Sequence, residues 1–133
     1  MKNPLSTNEF KIMELFWQEE RPLSRPEIIE LTPDKTWNPN SIHLILNNMI
    51  EKGVIEVSGL TRCGRGYGRT YAPTMSQLEY AAYQAEEATP GMSLKDRLTG
   101  IVGTMLDKAE EDPAAAISAL EKLLKERKKA AQG

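Results

Sequence analysis

The sequence predicts a mainly α chain of the α+β winged helix-turn-helix type over residues 1–75, with a C-terminal helical extension for dimerisation over residues 76–133. Three observations predict it. Apolar residues recur at helical spacing in three short stretches, each opened by a capping signal. A β-branched run, Val54–Ser58, is followed by glycines and then by a second short β-prone run, which reads as a hairpin. Beyond Pro73 the pattern is helical again.

The first helix opens at Ser6. Ser6 and Glu9 have capping-box spacing, and Leu5 with Phe10 has the spacing of a hydrophobic staple. Phe10, Met13, Phe16 and Trp17 supply the buried face, and the helix stops near Gln18–Glu20, because Pro22 pushes Arg21 out of the α region. Ser24 and Glu27 repeat the box, with Leu23 and Ile28 as staple; Thr32-Pro33 ends this short second helix, whose apolar residues are Ile28, Ile29 and Leu31.

The third helix has both ends marked. Asn38 serves as cap, Pro39 suits the first helical position, and Gly53 closes the helix in the left-handed conformation. Trp37 and Ile42 form a third staple. Ile42, Ile45, Leu46, Met49 and Ile50 make one apolar stripe. The opposite face holds Asn40, Leu44, Asn47, Asn48 and Glu51, with Ser41 and His43 on its borders. Such a helix docks on a small core and turns its amides outward. Asparagine is a residue type that bonds adenine edges in the major groove.

Val54–Ser58 reads as a strand, Gly59–Gly68 as a long flexible tip holding glycines 59, 64, 66 and 68, and Arg69–Ala72 as the returning strand, stopped by Pro73. In this order of three helices and a hairpin, the third helix enters the major groove, the second crosses the backbone and the hairpin is a wing. Ser76 and Glu79 open a further helix to about Ala88, and Thr89-Pro90-Gly91 breaks it. Ser93 caps the next helix and Asp112-Pro113 opens the last. Their apolar stripes are too narrow for a core of their own, so pairing with a second copy is expected through Leu94, Leu98, Ile101, Val102, Met105, Leu106, Ile117, Leu120 and Leu124.

Composition narrows the function. Net charge is −2, yet Thr61–Thr70 contains Arg62, Arg65 and Arg69 and no acid, and local charge is what meets phosphate. The expected DNA contacts are Arg25, Asn40, Ser41, His43, Leu44, Asn47, Asn48, Arg62, Arg65 and Arg69, with Tyr67 a further candidate to pack on the groove wall. The asparagines would read base edges, Leu44 a thymine methyl, and Ser41 a phosphate. Cys63 is the single cysteine; it excludes an intramolecular disulfide and a multi-cysteine metal site, and the arginines near it favour a thiolate. With one histidine, no phosphate-binding glycine motif and no carboxylate constellation, neither an enzyme, a cofactor nor a small-molecule ligand is expected. No apolar run reaches bilayer length and no signal-peptide region stands at the N-terminus, so a cytoplasmic location is expected.

Several of these residues also carry a resemblance. Leu5-Ser6, Glu9-Phe10, Met13 and Phe16-Trp17, then Trp37-Asn38-Pro39-Asn40-Ser41-Ile42, then Met49-Ile50-Glu51-Lys52-Gly53-Val54-Ile55, then Tyr71-Ala72-Pro73 resemble the penicillinase repressor family, which includes β-lactam resistance repressors and copper-responsive repressors. The resemblance implies a transcriptional repressor that dimerises through its C-terminal helices and binds a dyad-symmetric operator. Three departures matter. The family's recognition helix carries Lys, Arg and Thr at the positions held here by Asn40, His43, Leu44, Asn47 and Asn48, and Glu51 adds a negative charge, so DNA binding should be weaker or lean on the wing. The Asn-Phe bond at which β-lactam repressors are cleaved does not occur; the comparable region reads Leu98-Thr99-Gly100-Ile101. The cysteine cluster of the copper repressors is also missing. The uncharged helix, Leu44 and the acidic total support an alternative, a winged-helix protein–protein interaction module with weakened or lost DNA binding.

Overall fold

In the computed structural model, which describes residues 4–133, α1 (Thr7–Glu19) starts on the reciprocal bonds that its spacing predicts. The Glu9 N–H donates to Ser6 Oγ at 3.2 Å, and the Ser6 N–H donates to Glu9 Oε1 at 2.7 Å. Ser24 and Glu27 repeat the arrangement at α2 (Arg25–Glu30). The cap also creates a strand that the spacing does not announce. An N-cap residue is extended, and Ser24 sits at φ −85 and ψ 166. Leu23–Ser24 therefore forms β1, with Leu23 opposite Tyr71 and Ser24 opposite Thr70. The expected hairpin, β2 (Ile55–Cys63) and β3 (Gly66–Pro73), becomes a three-stranded antiparallel sheet in the order β1-β3-β2.

The third helix begins as a 3₁₀ turn over Pro39–Ser41, and α3 proper runs Ile42–Glu51. This corrects the expectation of α-helix from Pro39 onward. Asn38 does cap, but its Oδ1 accepts from the Asn40 N–H at 2.9 Å while the Ser41 N–H donates to the Asn38 carbonyl at 2.8 Å, which tightens the first turn. Gly53 follows the helix with φ 77, as expected. The stripe holds: Ile42, Leu46 and Met49 are buried, with Ile45 and Ile50 partly so. They share one core with Ile12, Met13 and Phe16 of α1, Ile28 of α2, and Val54, Ile55 and Tyr71.

The wing differs most from expectation. β2 (Ile55–Cys63) and β3 (Gly66–Pro73) pair almost to the end, and only Gly64-Arg65 turns. Gly64 has φ 61, the positive first position that a II′ hairpin turn needs. The glycines at 59, 66 and 68 thus lie within the ladder rather than in a flexible tip. At Gly68 a side chain has no room, since an added Cβ would lie 2.8 Å from Cys63 Sγ. Ser58 is an extra residue, a bulge between the pairs Val57–Tyr71 and Gly59–Thr70.

The chain divides into two compact units, Met1–Ala85 and Glu86–Gly133. The first ends later than residue 75, because α4 (Gln77–Ala88) is docked there by its buried Tyr80. That ring lies 5.8 Å from Phe10 and 5.6 Å from Trp17, and Trp17 Nε1–H donates to the Met75 carbonyl at 3.0 Å. The second unit contains α5 (Leu94–Asp107), capped by Ser93, and α6 (Ala114–Gln132). Neither of these helices has a buried residue; Leu94, Leu98, Met105, Ile117 and Leu124 are exposed, and Ile101, Val102, Leu106 and Leu120 are half-buried. Among the described residues, no helix is long and apolar enough to cross a membrane.

One ion pair ties the start of α1 to the end of α3. Glu9, 4% exposed, accepts from Lys52 Nζ at 2.6 Å, and the same ammonium donates to the Pro4 carbonyl at 3.0 Å. Burial pushes the Glu9 carboxyl up, but Lys52 and the Ser6 amide and hydroxyl outweigh it and hold the group below its ordinary value. Glu9 therefore contributes stability that is full above its unfolded pKa and is lost as pH falls through the lowered folded value. Lys52→Met should lower the unfolding free energy by about 3 kcal/mol at neutral pH, since it strands a buried charge. Urea titrations at neutral and acid pH test this: the deficit should shrink on acidification as Glu9 protonates. A deficit of constant size would remove the ion pair as its cause.

Candidate nucleic-acid interface

The buried stripe of α3 forces its other side outward. Asn40, His43, Leu44, Asn47, Asn48 and Glu51 are all exposed, and Leu44 is 64% exposed. Leu44, Asn47, Asn48 and Glu51 follow at three- and four-residue steps and so form one continuous surface. None of the three asparagine side chains on this face is hydrogen-bonded among the described residues; the Asn40 bond to Asn38 uses its backbone. At the entry to the helix, the Arg25 guanidinium lies against the His43 imidazole. Arg25, Asn40 and His43 line one shallow depression together with Pro26, Ile29 and Pro39. The structure thus brings the α2 residue expected on the backbone next to the first residues expected on the bases. Ser41 is half-buried and makes no side-chain capping bond.

Register decides what the wing presents. Directly opposed residues in an antiparallel pair point to the same face, and successive residues alternate. Leu60 opposes Arg69 and Arg62 opposes Tyr67, so these four share a face. All are exposed, Leu60 at 71% and Tyr67 at 74%. Nearer the core the same face carries the buried Ile55 and Tyr71. The core side of the sheet therefore runs on past the helices as an uncovered surface with two arginines and two apolar groups. Arg65 stands at the turn.

Two other cations of the unit are already held by carboxylates. Arg21 is tied to Glu27 at 2.6 Å, and Lys52 to Glu9. The Arg21 bond and the Ser24 amide hold the Glu27 carboxyl below its ordinary range. Arg62, Arg65 and Arg69 form no ion pair and no side-chain hydrogen bond among the described residues. Cys63 is half-buried on the other face of the wing, over Gly68, in a cleft shared with Thr61 and with Glu27 and Glu30 of α2. Of the two arginines paired on the opposite face of the wing, Arg62 still borders this cleft and Arg69 does not, so the cationic surroundings expected for this thiol are only partly assembled.

Sequence reasoning did not single out Leu60. Its signal, an aliphatic residue among glycines and arginines, gains meaning only once the register puts it beside Arg62 and Arg69. Among the described residues no three His, Cys, Asp or Glu side chains cluster as they would around a metal ion.

A family model described as penicillinase repressor matches residues 5–126. A solved structure, the solution structure of the DNA-binding domain of the repressor BlaI, matches at 28% identity with a TM-score of 0.45, covering 60% of this chain and 94% of that one. No curated protein sequence matches significantly. The family match runs through both units of the chain, from the residue before the first cap to well inside α6, and the chain belongs to the penicillinase repressor family.

Proposed function

We propose that this chain is a homodimeric repressor that occupies a dyad-symmetric operator and thereby blocks transcription from it. The observation that carries this reading is the set of three exposed, unpaired guanidinium groups on the wing of the unit that also presents the amide-bearing face of α3. Arginine on phosphate supplies affinity without sequence information, and asparagine on base edges supplies sequence information. Here the two roles fall on different elements. With no lysine or arginine on the outward face of α3, the phosphate term comes from Arg62, Arg65 and Arg69, with Arg25 adding an interaction where α2 crosses the backbone.

The second unit supports the dimer. Leu94, Leu98, Met105, Ile117 and Leu124 leave apolar surface in water that a second copy would cover. Two linked α3 helices would then meet half-sites about 34 Å apart, one turn of duplex. The competing role as a protein-interaction module draws on the exposure of Leu44 and the charge of Glu51. Salt separates the two: phosphate binding weakens steeply as salt rises, apolar docking does not.

Selection from a random duplex library at two salt concentrations should enrich a dyad-symmetric consensus, with weaker retention at the higher salt. Failure of a folded chain to enrich any sequence, whatever the salt, would favour the interaction module. Changing Arg62, Arg65 and Arg69 together to alanine should weaken binding to every duplex and flatten the salt slope by about one unit for each phosphate no longer neutralised. The urea midpoint should stay put, because these side chains are exposed. An unchanged slope would show that the wing is not a phosphate clamp. Introducing lysine at Leu98 and Leu124 together should reduce the sedimenting mass from dimer to monomer; a dimer that persists would exclude these stripes as the interface.

A further inference from the structure

The outward face of α3 is chemically selective in a way that goes beyond binding DNA, and the inference rests on the operator-binding reading above. We propose that this helix reads half-sites through adenine edges and one thymine methyl group, and leaves guanine unread. Each base pair offers a distinct pattern in the major groove. Guanine presents two acceptors, adenine an acceptor beside a donor, cytosine a donor, and thymine an acceptor beside a methyl group. Reading guanine by a bidentate interaction takes two donors on one side chain, the arginine or lysine solution, and neither residue stands on this face. Asn40, Asn47 and Asn48 each carry a donor and an acceptor on one planar amide, which matches adenine. Those amides are free of other partners among the described residues.

Leu44 is the residue that polar readout cannot use. It is 64% exposed, and its neighbours one turn away on the helix are Asn40, Asn47 and Asn48. It neither donates nor accepts, and the apolar group on the floor of the major groove is the thymine methyl. An exposed leucine alone is common. A leucine ringed by free amides, on the helix of a repressor-family chain whose wing carries unpaired arginines, has a nucleic-acid surface as its fitting partner. Glu51 extends the pattern at the far end of the face: a carboxylate accepts only, so cytosine suits it and guanine acceptors and phosphates do not.

The test uses the full chain and two versions of the most enriched duplex from the library selection, one with thymine and one with deoxyuridine at every thymine position. Deoxyuridine removes the methyl and keeps every hydrogen-bonding group. The wild-type chain should bind the uracil duplex roughly fourfold more weakly for each methyl it buries, the factor expected for one buried carbon. Single replacements should place the loss at one thymine in each half-site. Leu44→Ala should bind the two duplexes equally, and its unfolding midpoint should match the wild type, since the side chain is exposed. Equal wild-type affinity for both duplexes, or a consensus whose half-sites turn on guanine, would overturn the proposal while operator binding stood. If the selection enriches no sequence, operator binding falls and the proposal with it. Binding of an apolar protein partner that Leu44→Ala abolishes would then assign this face to protein.

Discussion

Glu9 is a carboxylate that water barely reaches, and the groups that satisfy it also fix the position of α3. Its Oε1 takes the Ser6 amide and the Lys52 ammonium, while Oε2 has no partner among the described residues. A buried charge held this way tolerates little movement, because loosening either donor exposes the cost of keeping the charge out of water. Lys52 directly follows α3, so the exit of that helix is anchored to the first turn of α1. At the other end Asn38 closes the 3₁₀ turn and Trp37 is buried. A ten-residue helix held at both ends, with Ile42, Leu46 and Met49 in the core between them, has one direction in which to turn its amides.

The two candidate surfaces of the first unit are built on opposite principles. The α3 face is held at both ends, neutral to slightly acidic and without lysine or arginine. The wing is an edge hairpin beyond the core, rich in guanidinium groups and stiffened by its ladder. Formal charge summed over the chain, −2, describes neither. Separating affinity from readout has a structural advantage. On the proposed reading, side chains on α3 could change to suit another sequence without altering the electrostatic attraction, because the wing would supply that attraction.

Much of the fold is legible in the sequence, and the parts that are not share a cause. Caps, staples and the α3 stripe depend on residues within one helical turn of each other, so spacing alone reveals Ser6 with Glu9, Ser24 with Glu27, and the burial of Leu46 against the exposure of Asn47. Strand pairing depends on a partner far along the chain. β1 is invisible in the sequence because two residues carry no period of their own; it exists because the cap at Ser24 is already extended when β3 arrives beside it. The glycines of the wing suggest freedom, whereas Gly68 leaves room for Cys63 and Gly64 makes a tight turn. The candidate site divides along the same line. The α3 residues can be named from periodicity, but which wing residues sit together follows only from register.

The bulge at Ser58 gives that register a further meaning. Side chains along a strand obey parity, odd positions to one face and even to the other, and a residue skipped by the ladder reverses parity for everything beyond it. Val57 and Leu60 share a face only because the ladder skips Ser58. Were the strands to pair straight through, β2 would present Gly59 and Thr61 where Leu60 and Arg62 now stand, and Arg62 would join the face of Glu56. The charge on the wing's open face therefore depends on which residue goes unpaired as much as on composition. A relative with the same residues in the same order, but with no bulge, would carry a different charge on that face.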